Sequence, residues 1–526
     1  MNDTDKTDTE SIEEEVISRV KQEEALYPDV SLIEGSISSV FIKMCLDANE
    51  LGDGILYTVL NRDKYIYNVS SKEWLKWAGH YWEIDEHNQH LAAVENIIDK
   101  LLEETGTVTE KINNAVKAGH ENQESKYKKY RDDIYKRISR LRTDRGRNAC
   151  IKFAISCKNP ITIIEKNLDL NPWLLGCPNG VIDLRSGKFR DGRPDEYISK
   201  YCPTVWVSYD EKCPEWEKFI FSIMNGMEDM ASFLQRLFGY SCTGLNREHI
   251  MAVLWGKGRN GKGTLVRIIQ FVMGALAGTI PTELLLYQRM QRNSASASPD
   301  ILDLKGLRQA FASETEEGQR FSAERVKRFT GGDQLVGRGL HENRPTRFIP
   351  HHTIFLETNN KPSVAGDDYA FWQRMLLIHF MLSFVDNPED EHERKKDPDI
   401  ENKLKAEASG ILAWLVRGCM EYQDRGLDPP QAVKDATLEY MQEEDLLGNF
   451  VDRYIDQIKG EKTKSGDIYD KFSKWFKKNN GPKASISHKR FGTMMKRKYT
   501  ATKISGVVHY KDVKLNGNIY ELAGDD

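Results

Sequence analysis

The sequence predicts an α/β protein with a P-loop domain at its centre. α+β and helical segments precede that domain, and a winged helix closes the chain. Three observations carry this expectation. An apolar run from Ile250 to Trp255 leads into Gly256-Lys257-Gly258-Arg259-Asn260-Gly261-Lys262-Gly263-Thr264, after which Leu265 to Met273 repeats apolar residues at helical spacing. From there to Val385, strand-like and helix-like segments alternate, the mark of a sheet with crossover connections. Between Phe450 and Lys514, 17 Lys and Arg stand against 6 Asp and Glu, over two helical patterns and a strand-rich end.

The 526 residues suffice for about three or four domains. A formal charge of −5 gives no argument for nucleic acid by itself. The eight cysteines are scattered without a C-x-x-C pair, which fits a reducing compartment and offers no zinc signature. No apolar run approaches the ~18 residues that span a bilayer. The acidic, polar start carries no signal-peptide pattern. The expectation is a soluble, intracellular protein of the cytoplasm with no membrane partner.

Taken in order, residues 1–40 read as an acidic, disordered tail. Residues 41–165 hold a small sheet with hairpins over Tyr57 to Asp85, then a helical region from Leu91 to about Phe153. Trp74, Trp77, Tyr81 and Trp82 read as the core of that sheet, with base stacking as the lesser alternative. The charged stretch Lys126 to Arg147 reads as a solvated face, with a nucleic-acid contact as the lesser alternative. Residues 166–245 return to turns and short strands and then to an amphipathic helix from Trp216 to Leu237. Asp169 stands alone beside Asn171-Pro172, a turn residue, where a primase or polymerase site would need clustered carboxylates. Residues 246–385 are the P-loop domain and 386–445 a helical segment broken at Pro429-Pro430. Residues 446–526 carry helices over Ser465–Lys478 and Ser487–Lys498, then strands around Val507–Tyr510 and Ile519–Leu522: a helix-turn-helix with a wing. Arg490, Lys496, Arg497 and Lys498 on one helix favour nucleic-acid contact over a merely solubilising surface.

The glycine-rich stretch has the strand, loop and helix that a phosphate cradle needs. Small residues let backbone N–H groups close around an anion, and the helix N-terminus adds the positive end of its dipole. Lys262, expected to lie exposed in the empty loop, reaches the β- and γ-phosphates as a point charge. Gly256, Gly258, Asn260, Gly261, Lys262, Gly263 and Thr264 are the nucleotide-binding candidates. The usual motif continues with Ser or Thr, whose hydroxyl ligates Mg²⁺. Here Gly263 holds that position and Thr264 follows one residue later, so the hydroxyl ligand of the metal stays open.

An ATPase also needs a carboxylate, a polar sensor and a cation. Leu307 to Ser313 is strand-like and ends in Glu314-Thr315-Glu316-Glu317, at the end of a parallel strand where ligands bind. Glu314 is the candidate for polarising the attacking water, and Glu316 or Glu317 for holding Mg²⁺. His352 to Thr358 is a second buried strand ending in Asn359, placed to bind the γ-phosphate or its water. Arg374 precedes the apolar run Met375 to Ile378 and is the candidate arginine finger, a group worth ~10³–10⁵ in rate where one operates.

Four motifs occur in order: Gly256 to Lys262, Ser313 to Gly318, Lys327 to Asp333 and Thr358 to Pro362, followed by Trp372-Gln373-Arg374. This set resembles superfamily 3 helicases of the phage, plasmid and poxvirus primase–helicase type. Trp173 to Leu184 is similar to that family's pre-helicase domain, and Gly410 to Leu415 to its helical segment. The resemblance implies an AAA+-type motor that uses ATP and Mg²⁺. It would act as a ring, usually a hexamer, moving 3′ to 5′ on single-stranded and forked DNA. Lys262, Glu314 and Asn359 would act from one subunit, Arg374 and Lys327 from its neighbour. The DNA-gripping hairpin would have its tip at His341 to Pro345, with Arg338, His341, Arg344 and Arg347 as DNA contacts. No primase domain is evident, so a separate primase or polymerase is the expected partner. A bifunctional primase–helicase and an ATP-dependent origin-binding initiator are the alternatives.

Overall fold

The computed structural model describes residues 37–288, 297–313, 319–340, 345–364, 368–444, 446–480 and 485–516. The chain divides into two compact units. The first takes the described residues up to Asn171, with Gly176–Ile182 and Phe189–Tyr201; the second takes Pro172–Leu175, Asp183–Lys188 and the described residues from Cys202 on.

In the first unit, strands Tyr65–Asn68, Glu73–Trp77 and Trp82–Ile84 form antiparallel hairpins, and Thr162–Ile163 adds a parallel edge. Tyr57 to Asn61, expected in this sheet, belongs instead to the helix Asn49–Asn61. Packing overrides the β-propensity of Tyr57: its ring is fully buried and its hydroxyl donates to the His90 carbonyl at 2.8 Å. The aromatic residues behave as core. Trp82 and Tyr81 are buried, and Trp74 stacks on His90 at 4.6 Å. Three helices follow, Glu95–Lys117, Glu121–Leu141 and Asp144–Ala154. Most of the charged stretch is solvated, but it turns two guanidinium groups inward: Arg137 donates to buried Asp53 at 2.6 Å, and Arg140 pairs with the same carboxylate. A buried charge requires such partners. Asp169 is a turn residue, with φ +53° and its carboxylate accepting from the backbone N–H groups of Ser199 and Lys200.

In the second unit the expected helix from Trp216 to Leu237 is two helices, Pro214–Ile223 and Glu228–Ser241. Asn225 and Gly226 between them take positive φ angles of 53° and 76°, which ends the first helix. The central sheet has five parallel strands: β1 Met251–Trp255, β2 Ala277–Ile280, β3 Gln309–Ser313, β4 Thr353–Thr358 and β5 Met375–His379. Their spatial order is β5-β1-β4-β3-β2. Met251 to Leu254 and Ile354 to Leu356 are fully buried; covered on both faces, these strands read as continuous apolar runs. Helix α1, Lys262–Met273, follows β1 directly. The last helix of the helical segment, Gln431–Glu444, closes the same core through Tyr440, which packs edge-on to Trp372.

The C-terminal region has a core of its own, including Phe450, Phe472, Trp475, Phe491 and Tyr510. Helices Ser465–Asn480 and His488–Lys498 are followed by the hairpin Ala501–Ile504 and Val507–Leu515, which also pairs with Ile455–Lys464. Ala501–Ile504 and Ile455–Lys464 were not anticipated as strands; the expected strand at Ile519–Leu522 lies outside the described residues. Among the described residues, no helix is long and apolar enough to cross a membrane.

Candidate nucleotide-binding site

The register of the sheet assembles the site. β1 lies between β5 and β4, with Trp255 paired to His379 on one side and to Thr358 on the other. The chain leaves β1 into the glycine-rich loop and leaves β4 into Asn359, so both open into one crevice at the carboxyl ends of the strands. Such a crevice is where ligands bind in open parallel sheets. β3 ends beside it, with Ser313 paired to Glu357.

Two glycines are dictated by the loop. A Cβ on Gly256 would lie 2.3 Å from the Phe380 carbonyl oxygen and 2.6 Å from Asn260 Nδ2. Gly261 caps α1 at φ +87°, and a Cβ there would lie 2.6 Å from Ile223 Cγ2. Gly258 is exposed at the loop's outer edge. Asn260 is buried: its Oδ1 accepts weakly from the Lys262 N–H at 3.4 Å, and its Nδ2 has no hydrogen-bond partner among the described residues. A buried donor left unpaired costs ~1–3 kcal/mol, so this amide awaits an acceptor.

Lys262 is not exposed, as an empty loop had suggested, but 2% accessible. Its Nζ donates to the Gly256 carbonyl at 2.6 Å and to Asn359 Oδ1 at 3.2 Å. The ammonium thus fills the cradle with its own loop and the end of β4 as partners. Burial lowers its pKa from 10.5 to about 8, and the nearby Glu357 carboxylate opposes the shift. Gly263 and Thr264 lie in the first turn of α1, where the Thr264 hydroxyl accepts from Arg267 Nη2 at 3.3 Å. Beside the loop, a cleft of about 610 Å³ opens between Phe219, Arg259, Gly261, Thr264, Arg267 and Lys396.

Arg374 sits at the other end of the sheet. It precedes β5, its carbonyl accepts from the Met251 N–H at 2.7 Å, and its Nη1 donates to the Ala370 carbonyl at 2.8 Å. Lys327, on helix Ala323–Thr330, pairs with Asp368 at 2.9 Å, and Asp368 caps the short helix Tyr369–Trp372 ahead of Arg374. The two cations therefore share one edge, away from Lys262 and Asn359.

The hairpin expected to grip DNA is formed by Leu335–Gly337 and Thr346–Phe348, with exposed Arg347 opposite Val336. Arg338 extends it, its N–H donating to Ser298 Oγ at 3.1 Å. Glu314, Glu316, Glu317, His341 and Arg344 lie outside the described residues. Arg490 and Lys496 are exposed on helix His488–Lys498, which also includes Arg497. Sequence reasoning missed Glu357, Arg267 and the adjoining cleft. The only available signal was Glu357 standing two residues before Asn359.

Residues 55–225 match the family model described as D5 N terminal like. A protein of Acanthamoeba polyphaga mimivirus that bears a provisional helicase name is 28% identical, over 80% of this chain and 45% of its own length. A similarly named protein of Invertebrate iridescent virus 3 is 25% identical, over 68% of this chain and 40% of its own length. A protein of African swine fever virus, provisionally named a primase, is 23% identical over 65% of this chain and 37% of its own length. The chain thus spans less than half the length of these relatives. The apo C-terminal region of NrS-1 aligns at a TM-score of 0.43 and 11% identity, over 87% of this chain and 99% of that one. The chain thus carries a segment similar to the D5 N terminal like family, and most of its length is similar to viral proteins that bear helicase and primase names. Its relatives are proteins of large DNA viruses with helicase and primase names.

Proposed function

We propose that the chain carries the motor of an ATP-dependent replicative DNA helicase of superfamily 3, from a virus, phage or plasmid. The fold is read as AAA+-type, acting as a ring, usually a hexamer, that moves 3′ to 5′ on single-stranded DNA and opens forks. The observation that carries this reading is the buried Lys262 ammonium, held between the Gly256 carbonyl and Asn359 at the carboxyl ends of β1 and β4. The Nδ2 of Asn260 beside it, unpaired among the described residues, fits a phosphate oxygen as acceptor. The helicase names of the viral relatives favour the same reading.

Binding of ATP draws Lys262 from its two internal acceptors to the β- and γ-phosphates, while the α1 N-terminus and the loop N–H groups hold the anion. Asn359, released, orients the γ-phosphate or the attacking water, and Glu314 polarises that water. Mg²⁺, with Thr264, Glu316 and Glu314 as its candidate ligands, would supply neutralising charge to the phosphates. Hydrolysis then proceeds by positioning and charge stabilisation. Arg374 and Lys327 serve the neighbour's nucleotide. Arg374 and Asn359 lie at opposite ends of strands aligned from Met251↔Met375 to Trp255↔His379, a run of about 13 Å at ~3.3 Å per residue. That separation supports action across a ring interface, which repeats one contact at every junction. Arg338 and Arg347, with His341 and Arg344, would hold phosphates without reading sequence. Arg490, Lys496 and Arg497 would add a second DNA contact, with a separate primase or polymerase as partner.

The experiment is strand displacement on a forked duplex with ATP. Unwinding that needs Lys262 supports the reading, and its absence with intact DNA binding favours an origin-binding initiator. The relative with a primase name favours a bifunctional primase–helicase as the second reading; primer synthesis from nucleotides on a single-stranded template separates the two.

A further inference from the structure

The motif's metal-binding hydroxyl is missing at Gly263, and the structure shows what occupies its place. A Cβ built on Gly263 would lie 3.4 Å from Glu357 Oε1 and 3.9 Å from Oε2, with Arg267 Nη1 at 3.2 Å. The first turn of α1 therefore meets the Glu357 carboxylate at contact distance, with the Arg267 guanidinium beside it. Glu357 is the penultimate residue of β4, paired with Leu254 of β1 and Ser313 of β3. The sheet register thus delivers a half-buried carboxylate to the first turn of α1, from 94 residues away in sequence. Its field also reaches Lys262, whose proton it helps retain.

We propose that the Glu357 carboxylate takes the place of the P-loop hydroxyl and holds the Mg²⁺ of the bound nucleotide, beside Gly263. The proposal rests on the ATP reading above. Mg²⁺ keeps several of its waters and is held by one or two carboxylates together with substrate phosphates. A single well-placed carboxylate is therefore enough, directly or through a water. Thr264 is the rival ligand. One residue further along a helix turns a side chain by about 100°, and its hydroxyl already accepts from Arg267, whose Nε donates to Glu401 at 3.1 Å. That interaction places it toward the cleft side of α1.

A carboxylate in this position has a consequence that a hydroxyl lacks. Without metal, it repels the phosphates; with metal, it binds them through the ion. The test is ADP affinity of the full chain, measured calorimetrically in Mg²⁺ and again in EDTA, at a pH about two units below the Lys262 pKa of about 8 so that the lysine stays charged in every variant. Wild type should bind ADP on the order of tenfold more tightly with Mg²⁺. Glu357→Gln, of nearly unchanged shape, should lose that gain and bind ADP in EDTA as well as wild type or better. Thr264→Ala should keep the gain, and Gly263→Ser added to Glu357→Gln should restore part of it. The proposal is overturned if Glu357→Gln keeps the full Mg²⁺ gain, or weakens ADP equally in both conditions, as a purely structural role would. It is also overturned if Thr264→Ala abolishes the gain. Wild type that binds ADP in neither condition overturns the ATP reading itself, a distinct result.

Discussion

Raising the pH should weaken nucleotide binding through Lys262. In the free protein its pKa is lowered to about 8 by burial, whereas the complex needs the charged form between the phosphates. Bound phosphates hold the proton, so binding above pH 8 must first take one up. At pH 9 only about one free lysine in ten is charged, and affinity falls about tenfold relative to pH 7, then about tenfold per further unit. At pH 8 binding should take up about half a proton, measurable by calorimetry in two buffers of different ionisation enthalpy. The sign in the free protein is opposite. From about 8 up to 10.5 the unfolded state binds more protons than the folded one, so this lysine makes stability rise with pH. Lys262→Arg keeps its charge throughout and should flatten the affinity profile at a lower overall level. Wild-type affinity that changes less than about twofold from pH 7 to pH 9 refutes the role given to this buried ammonium.

Other outcomes follow from the same geometry. Arg374→Ala rings should bind ATP yet hydrolyse it at least about a hundredfold more slowly. Once subunit exchange is established, mixing them with Lys262→Ala rings should recover part of the ATPase, and mixtures as inactive as both parents would argue against a shared site. Gly261→Ala forces a Cβ into Ile223 and a left-handed conformation, so nucleotide affinity should drop while thermal stability falls by about 1–2 kcal/mol; unchanged affinity would contradict the loop geometry. Arg490→Ala and Lys496→Ala should each lower the salt slope of DNA binding by about one, and removal of residues 446–526 should do so further while sparing ATPase. An unaltered slope would assign that region to protein docking.

The parts of the fold visible in the sequence are those whose pattern is local. β1, β4 and β5 are buried on both faces and so appear as unbroken apolar runs, and α1 follows its glycines directly. Helix Asn49–Asn61 was hidden because Tyr57 and Thr58 have strand propensity, and only packing against distant residues decides their state. The break at Asn225-Gly226 carried a turn signal that the apolar spacing on both sides obscured. The inward turn of Arg137 and Arg140 depends on Asp53, more than eighty residues earlier. At the site, Lys262 and Asn359 were each marked by local motifs. Their hydrogen bond, the burial of the lysine and the approach of Glu357 to Gly263 arise only from the pairing of β1 with β4.

The central claim is that Lys262 drives DNA unwinding by binding ATP in this crevice. Its most direct test is forked-duplex displacement and single-strand-stimulated ATPase, measured side by side for wild type and Lys262→Ala at equal DNA occupancy. Wild type should hydrolyse ATP and separate strands, while the variant binds DNA normally and loses both activities by at least about a hundredfold. A Lys262→Ala protein that unwinds and hydrolyses near the wild-type rate would contradict it.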